Sequence, residues 1–285
     1  FTTPEFNVNV CQLPFWCLTV YYTWKIYNSK KIELYDCILL GAAAAFGILS
    51  KYLFIYLLVA IDLLFAYLIF FKKSKKFDFK YLVSLEVFFV ILIPHIIWLF
   101  NNDFITIKYG FARAGLDEGQ IINHLKYPLI FTLKQIGILI PFLILVWLLI
   151  KKIPKKLNLK DEKLLFLIFI NLVPIVLVFM TALITGSKIR TMWMTPFYLF
   201  FGTLFIYILK NQINIKKLNS FLIGFIFLFL LSPILYGYVS ISQTDKRTDY
   251  PGRDIAIKVQ MAWHEQHDEP IKYVLGDEWA AGNLS

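Results

Sequence analysis

The chain has 285 residues, 59% of them hydrophobic, with a mean hydropathy of +0.65 and a formal net charge of +10. Repeated apolar stretches of ~20 residues exclude an ordinary soluble domain, because each can cross ~30 Å of hydrocarbon. The basic excess does not indicate nucleic-acid binding: the lysines punctuate the apolar stretches instead of forming one face, as topology signals and anionic-lipid contacts do.

In chain order, the opening FTTPEFNVN reads as a polar loop and not as a signal peptide. About eight transmembrane helices follow, at 11–27, 33–50, 52–71, 81–100, 127–150, 164–184, 193–209 and 220–240. Four lysine clusters alternate with them: Lys25/Lys30/Lys31, Lys72/Lys73/Lys75/Lys76/Lys80, Lys151/Lys152/Lys155/Lys156/Lys160/Lys163 and Lys210/Lys216/Lys217. They hold more than half of the 29 lysines and arginines. Such residues near span ends are retained in the cytoplasm. Loop 1–10, the corner at Lys51, 101–126, 185–192 and the tail from 241 are then extracytoplasmic, as are both chain ends. Within the spans, GAAAAFG at 41–47 is a small-residue face for close helix approach. Pro14, Pro94, Pro174 and Pro233 are candidate kinks bordering a cavity. Cys11, Cys17 and Cys37 lie in or beside spans and suggest neither a disulfide framework nor a thiolate metal site. The fold class is an all-α polytopic membrane protein. Residues 1–240 form the membrane domain, and 241–285 read as the start of a soluble α/β domain with a helix at 254–266 and a strand at 271–275. That tail is too short to bury a core of its own, and the chain reads as a piece of a longer protein.

The topology gathers polar residues on the extracytoplasmic side, where cations run against the positive-inside bias. Lys51 stands between two apolar helices with almost no loop. It either snorkels to the interface or is held for an anionic headgroup. Lys188 and Arg190 form a pair suited to phosphate, arginine offering a fork and lysine a mobile point charge. Glu5 is the one carboxylate of the opening loop and either solvates it or serves as a base. Asp103, Asp117 and Glu118 carry the same alternatives. His95 and His124 are 29 residues apart, without metal-ligand spacing. Asp62 is mid-span, where a carboxylate is costly and either functional or paired with a neighbour. Glu86, near the cytoplasmic boundary, snorkels.

TTPEFNVNVCQLPFWCLTVYYTWKIY resembles the segment that opens a span in bacterial GT-C glycosyltransferases similar to dolichyl-phosphate-mannose–protein mannosyltransferases. LLGAAAAFGILSKYLFIYLL resembles that family's lysine-bearing helix pair. IPHIIWLFNNDFITIKYGFARA, KIRTMWMTPFYLFFG and YPGRDIAIKVQMAW…YVLGDEWAAGNLS are similar to its later loops and appended domain. The resemblance implies a glycosyltransferase of a bacterial inner membrane. Its donor would be a polyprenyl-phosphate-linked sugar and its acceptor a lipid, glycan or protein, with no nucleic-acid partner. It implies that Glu5 is a catalytic carboxylate, replacing an aspartate. A principal base would precede Phe1, so that residues 1–285 alone are expected to be inactive. Lys51, Lys188 and Arg190 become donor-phosphate ligands, with His95, Asp103 and Arg113 as further donor or acceptor contacts. No cofactor is specified, and a divalent metal is left open. The competing class is a non-enzymatic carrier or flippase for polyprenyl-linked glycans.

Overall fold

Long apolar segments must satisfy their backbone polar groups internally, and helices do so within one segment. The computed structural model describes residues 7–116, 119–152, 157–242, 250–276 and 278–284, and nearly every long apolar stretch among them is helical. The chain divides into two units, Phe1–Ile226 and Phe227–Ser285.

The first unit contains α1 (Val8–Cys11), α2 (Leu13–Asn28), α3 (Leu34–Ser50), α4 (Ile55–Ala66), α5 (Lys80–Asn101), α6 (Ile105–Arg113), α7 (Asn123–Leu149), α8 (Glu162–Thr185), α9 (Phe201–Leu209) and the start of α10 (Leu218–Ser242). Helical structure occupies all eight expected stretches, but the count of spans is smaller. Five stretches are long and apolar enough to cross a membrane: Tyr52–Phe71, Lys80–Asn101, Asn123–Leu149, Glu162–Thr185 and Ile215–Ser242. A 3-10 helix, Thr191–Tyr198, and α9 form a sixth if counted together, although they bend by 50°. Pro196 lies in that 3-10 stretch, where its missing N–H disfavours a continuous α-helix. Helices α2 and α3 have 16 and 17 residues and fall short of ~20. Pro14 sits in the first turn of α2, where no donor is lost, so it starts the helix and does not kink it.

The small-residue face of α3 works as expected. A Cβ on Gly41 would lie 2.3 Å from the Ser84 carbonyl oxygen of α5, so only glycine permits this approach. One on Gly47 would lie 2.4 Å from the ring of Phe54. That ring therefore folds back over the end of α3, and the chain turns through the single extended residue Lys51 (φ −167°, ψ 132°). Phe54 then joins Trp16 and Phe197 in the core, with ring centroids 5.4 and 4.9 Å from Trp16. Three distant segments, α2, 52–54 and 191–198, are locked by this aromatic contact.

The loops sort to two ends. At one end lie the lysine clusters, and their side chains reach carbonyls at the C-terminal ends of α2 and α7 and, for Lys80, a carbonyl of the loop before α3. Lys75 Nζ donates to the Tyr27 carbonyl at 2.7 Å, Lys80 to Ile32 at 2.7 Å and Lys217 to Ile150 at 2.9 Å. Lys25 pairs with buried Asp36 at 2.7 Å, and Lys72 with Glu162 at 3.2 Å. A cation at a helix C-terminus satisfies free carbonyls and opposes the negative end of the dipole. Lys155 and Lys156 lie outside the described residues. These links join loops 28–33, 72–79 and 157–161, and Lys217 ties loop 210–217 to the end of α7.

The second unit holds the rest of α10, the helix α11 (Gly252–His264) and a short α12 (Glu278–Gly282). The expected helix is present. Residues 271–275 are not a strand, and the described residues contain none; a strand needs a ladder partner for its backbone groups. The turn after α11 is closed instead by Trp263 Nε1 donating to the Glu269 carbonyl at 2.6 Å and by a Lys272–Glu269 pair at 3.0 Å.

Gly41→Ala should destabilise the protein by about 1–3 kcal/mol, because α5 must move, although alanine is the better helix former. Gly137→Ala, with open space around the new methyl, should stabilise by about 0.5–1 kcal/mol. Thermal unfolding in detergent checks both signs.

Candidate functional site

The end of the first unit opposite the lysine clusters is built around Lys51. The terse corner after α3 leaves its side chain half-buried, with the ammonium donating to Asn9 Oδ1. Asn9 is itself 2% exposed and is placed by α1, whose N-cap Asn7 accepts from the Asn9 N–H at 2.9 Å. On another side the ammonium stands 5.1 Å from the centroid of the Trp193 ring. Burial lowers the Lys51 pKa to about 8, with the nearby Arg113 charge adding to the effect. Among the described residues no carboxylate pairs with Lys51.

Backbone hydrogen bonds bring the other cations into this neighbourhood. The Trp193 N–H donates to the Arg190 carbonyl at 3.0 Å, and the Lys188 N–H to the Ala114 carbonyl at 2.7 Å, next to Arg113. Gly186, with φ 66°, ends α8 and allows this loop to turn against His124, whose Nδ1 is 3.0 Å from the Leu183 carbonyl. The Lys188 and Arg190 side chains are exposed and, among the described residues, form no ion pair. Arg113 bonds the Tyr109 hydroxyl and lies 5.5 Å from that ring's centroid. Lys51, Arg113 and the Lys188/Arg190 loop thus bring four cations from three segments to the same end of the unit, with Arg113 close enough to act on the Lys51 charge. Such a set can attract and position an anion.

His95 does not act alone. Its Nε2 is 2.8 Å from the Tyr52 hydroxyl, which also lies 2.7 Å from Thr106 Oγ1. This chain ties α5 and α6 to the residue after Lys51. Asp103 is exposed and occupies a left-handed corner (φ 49°) with Phe104 (φ 56°), turning α5 into α6. Aspartate tolerates that conformation better than most residues, which gives Asp103 a structural role. Asp62 is exposed on α4, in the middle of the span that follows Lys51, and none of the contacts around Lys51 involves it. Glu5, Asp117 and Glu118 lie outside the described residues. Among those described, no group of three or more His, Cys, Asp or Glu side chains converges as a metal site.

Sequence reasoning left three features unassigned. Gln12 is fully buried with neither amide atom hydrogen-bonded, and the buried Ser187 hydroxyl is likewise without a partner among the described residues. Trp193 is the aromatic wall for Lys51. A polar residue at the start of an apolar span, as Gln12 is, was the available signal for the first; the others depend on long-range packing.

Because the folded protein disfavours the charged form of Lys51, the unfolded chain binds more protons between pH ~8 and ~10.5. Stability should therefore rise with pH across that window, by up to about 3 kcal/mol before solvent screening, relative to Lys51→Met. Below pH 8 the difference between the two should be flat. Thermal midpoints of the pair from pH 7 to 10.5 check this.

Compared with known proteins, residues 1–98, about a third of the chain, match the family model described as dolichyl-phosphate-mannose-protein mannosyltransferase. No curated protein and no solved structure matches. The matched stretch includes Asn9, Lys51, Tyr52 and His95; Arg113, Lys188, Arg190 and Trp193 lie beyond it.

Proposed function

We propose that this chain is a membrane glycosyltransferase of the GT-C type. In this reading it moves a sugar from a polyprenyl-phosphate donor to a lipid, glycan or protein hydroxyl at the end that carries Lys51. The observation that supports the reading is the placing of Lys51, Arg113 and the loop bearing Lys188 and Arg190 at one end of the unit, in a chain whose first third matches a mannosyltransferase family model.

The chemistry needs two things from the protein. A base takes the acceptor proton as the new oxygen–carbon bond forms at the anomeric carbon, and cations receive the phosphate as the old carbon–oxygen bond breaks. The cations supply the second requirement: the phosphate sits on Lys51, with Lys188 and Arg190 from the neighbouring loop. Lys51 retains ammonium protons beyond the one given to Asn9. Glu5 is assigned as a catalytic carboxylate from its sequence position. The leaving phosphate is already a good leaving group, so positioning and charge neutralisation do most of the work. All eight helical stretches belong to the membrane domain in this reading, α2 and α3 being short spans. The lysine end faces the cytoplasm of a bacterial inner membrane.

A carrier built from repeats would pair an interrupted helix in one half with another in the second. Among the described residues the bent pair at 191–209 is single, which favours the enzyme.

In the full-length protein, Lys188→Ala/Arg190→Ala should lower kcat/KM for the donor by on the order of 100-fold, since each charge-assisted contact contributes roughly 1.5–3 kcal/mol. Lys30→Ala/Lys31→Ala, at the other end, should leave it unchanged. Steady-state kinetics with a polyprenyl-phosphate sugar decides; unaltered donor kinetics in the first variant would contradict the assignment. In a background lacking Cys11, Cys17 and Cys37, Lys108→Cys should react with an impermeant maleimide added outside intact cells and Lys76→Cys should not. The reverse pattern would overturn the orientation.

A further inference from the structure

An apolar groove of roughly 360 Å³ runs between α2, α8 and α9 from mid-bundle to a mouth at the lysine-rich end. Each helix presents one face to it: Cys17, Val20, Tyr21 and Trp24 from α2, Lys163, Phe166, Leu167 and Ile170 from α8, and Thr203 and Tyr207 from α9. The spacing of three, four and seven residues is that of a single helical face. Eight residues of helix rise only about 10 Å, so the groove stays within one leaflet of a ~30 Å hydrocarbon layer.

Its mouth is basic. Lys163 lines it, and Lys210 Nζ stands 4.2 Å from the centroid of the Tyr207 ring. The two carboxylates nearby are already occupied. Asp161 accepts from the Tyr207 hydroxyl at 2.6 Å and from the Lys163 backbone N–H at 2.9 Å, capping α8. Glu162 pairs with Lys72. Lys163 and Lys210 are exposed and form no direct ion pair among the described residues, although, after the Tyr207 hydrogen bond, Lys210 is near enough to Asp161 to help hold its carboxyl below the usual range.

We propose that this groove seats an acyl chain of an anionic phospholipid from the leaflet at the lysine-rich end, with the headgroup phosphate on Lys163 and Lys210. The apolar walls take the chain, and the two ammonium groups select against zwitterionic lipid. A polyprenyl donor with its phosphate on Lys51 would put its charged group at the other end of the bundle, away from Lys163 and Lys210. The site is therefore separate from the sugar-transfer end and does not depend on that function.

The test is native mass spectrometry of the full protein, released from micelles containing equal dioleoylphosphatidylglycerol and dioleoylphosphatidylcholine. The wild type should retain phosphatidylglycerol preferentially, by roughly fivefold for each lysine engaged. Lys163→Gln/Lys210→Gln should lose that preference, and Thr203→Trp, which fills the groove, should lose both lipids. Cys17, exposed in the groove wall, gives an independent readout: phosphatidylglycerol should protect it from N-ethylmaleimide while leaving Cys11 labelling unchanged. Equal retention of the two lipids, a preference that survives in the double variant, or unprotected Cys17 would overturn the proposal. So would displacement of the lipid by a neutral polyprenol, which would assign the groove to an isoprenoid chain, or by a helix of another chain segment cross-linked at Cys17.

Discussion

The contact of the Lys51 ammonium with Asn9 and the Trp193 ring is the interaction on which the arrangement of the upper bundle depends. A cation placed among apolar helices without a carboxylate is costly, and the structure offsets that cost through geometry. Gly47 has no side chain, so Phe54 can fold onto α3 and a single extended residue can turn the corner. The Trp16–Phe54–Phe197 contact then fixes the three segments that carry the ammonium's surroundings. An aromatic face contributes roughly 0.5–2 kcal/mol and leaves ammonium protons unspent. The result is a charge held in position and, among the described residues, incompletely satisfied, which is the state an anion-binding group needs before its ligand arrives.

The same residue type does different work at the two ends. At the end rich in clusters, Lys75 and Lys217 reach helix-terminal carbonyls, Lys80 reaches the loop carbonyl of Ile32, and Lys25 and Lys72 meet carboxylates. Their role is to close helix ends and join loops. At the other end, Lys51, Lys188 and Arg190 have no such closure among the described residues. Arg113 adds positive charge that disfavours the protonated form of Lys51. Mutual repulsion of that kind is relieved when an anion binds, so the cluster stores part of its affinity as strain between like charges.

The positions of the helices were legible because hydropathy sets where a backbone can lie in hydrocarbon. Lys51 was legible for the same reason, as a lone charge between two apolar stretches. What hydropathy does not encode is length margin and partner. Helices α2 and α3 begin one or two residues into their apolar stretches and are left with 16 and 17 residues, and Pro196 places a 3-10 segment where a straight span was expected. The run at 271–275 is rich in strand-favouring residues, but the described residues give it no neighbour. Trp193 beside Lys51, Thr106 beside Tyr52, and Asp103 as a left-handed corner come from chain segments separated by tens of residues, and single-sequence periodicity carries no information about such pairs.

The titration of Lys51 itself, followed by NMR of the isotopically methylated ammonium with and without polyprenyl phosphate, tests the central claim most directly. A pKa near 8 in the free protein that rises when polyprenyl phosphate binds is the predicted result, because a phosphate stabilises the protonated form. A pKa at the ordinary lysine value, or one that does not move on addition of polyprenyl phosphate, would contradict a donor-phosphate role for this residue.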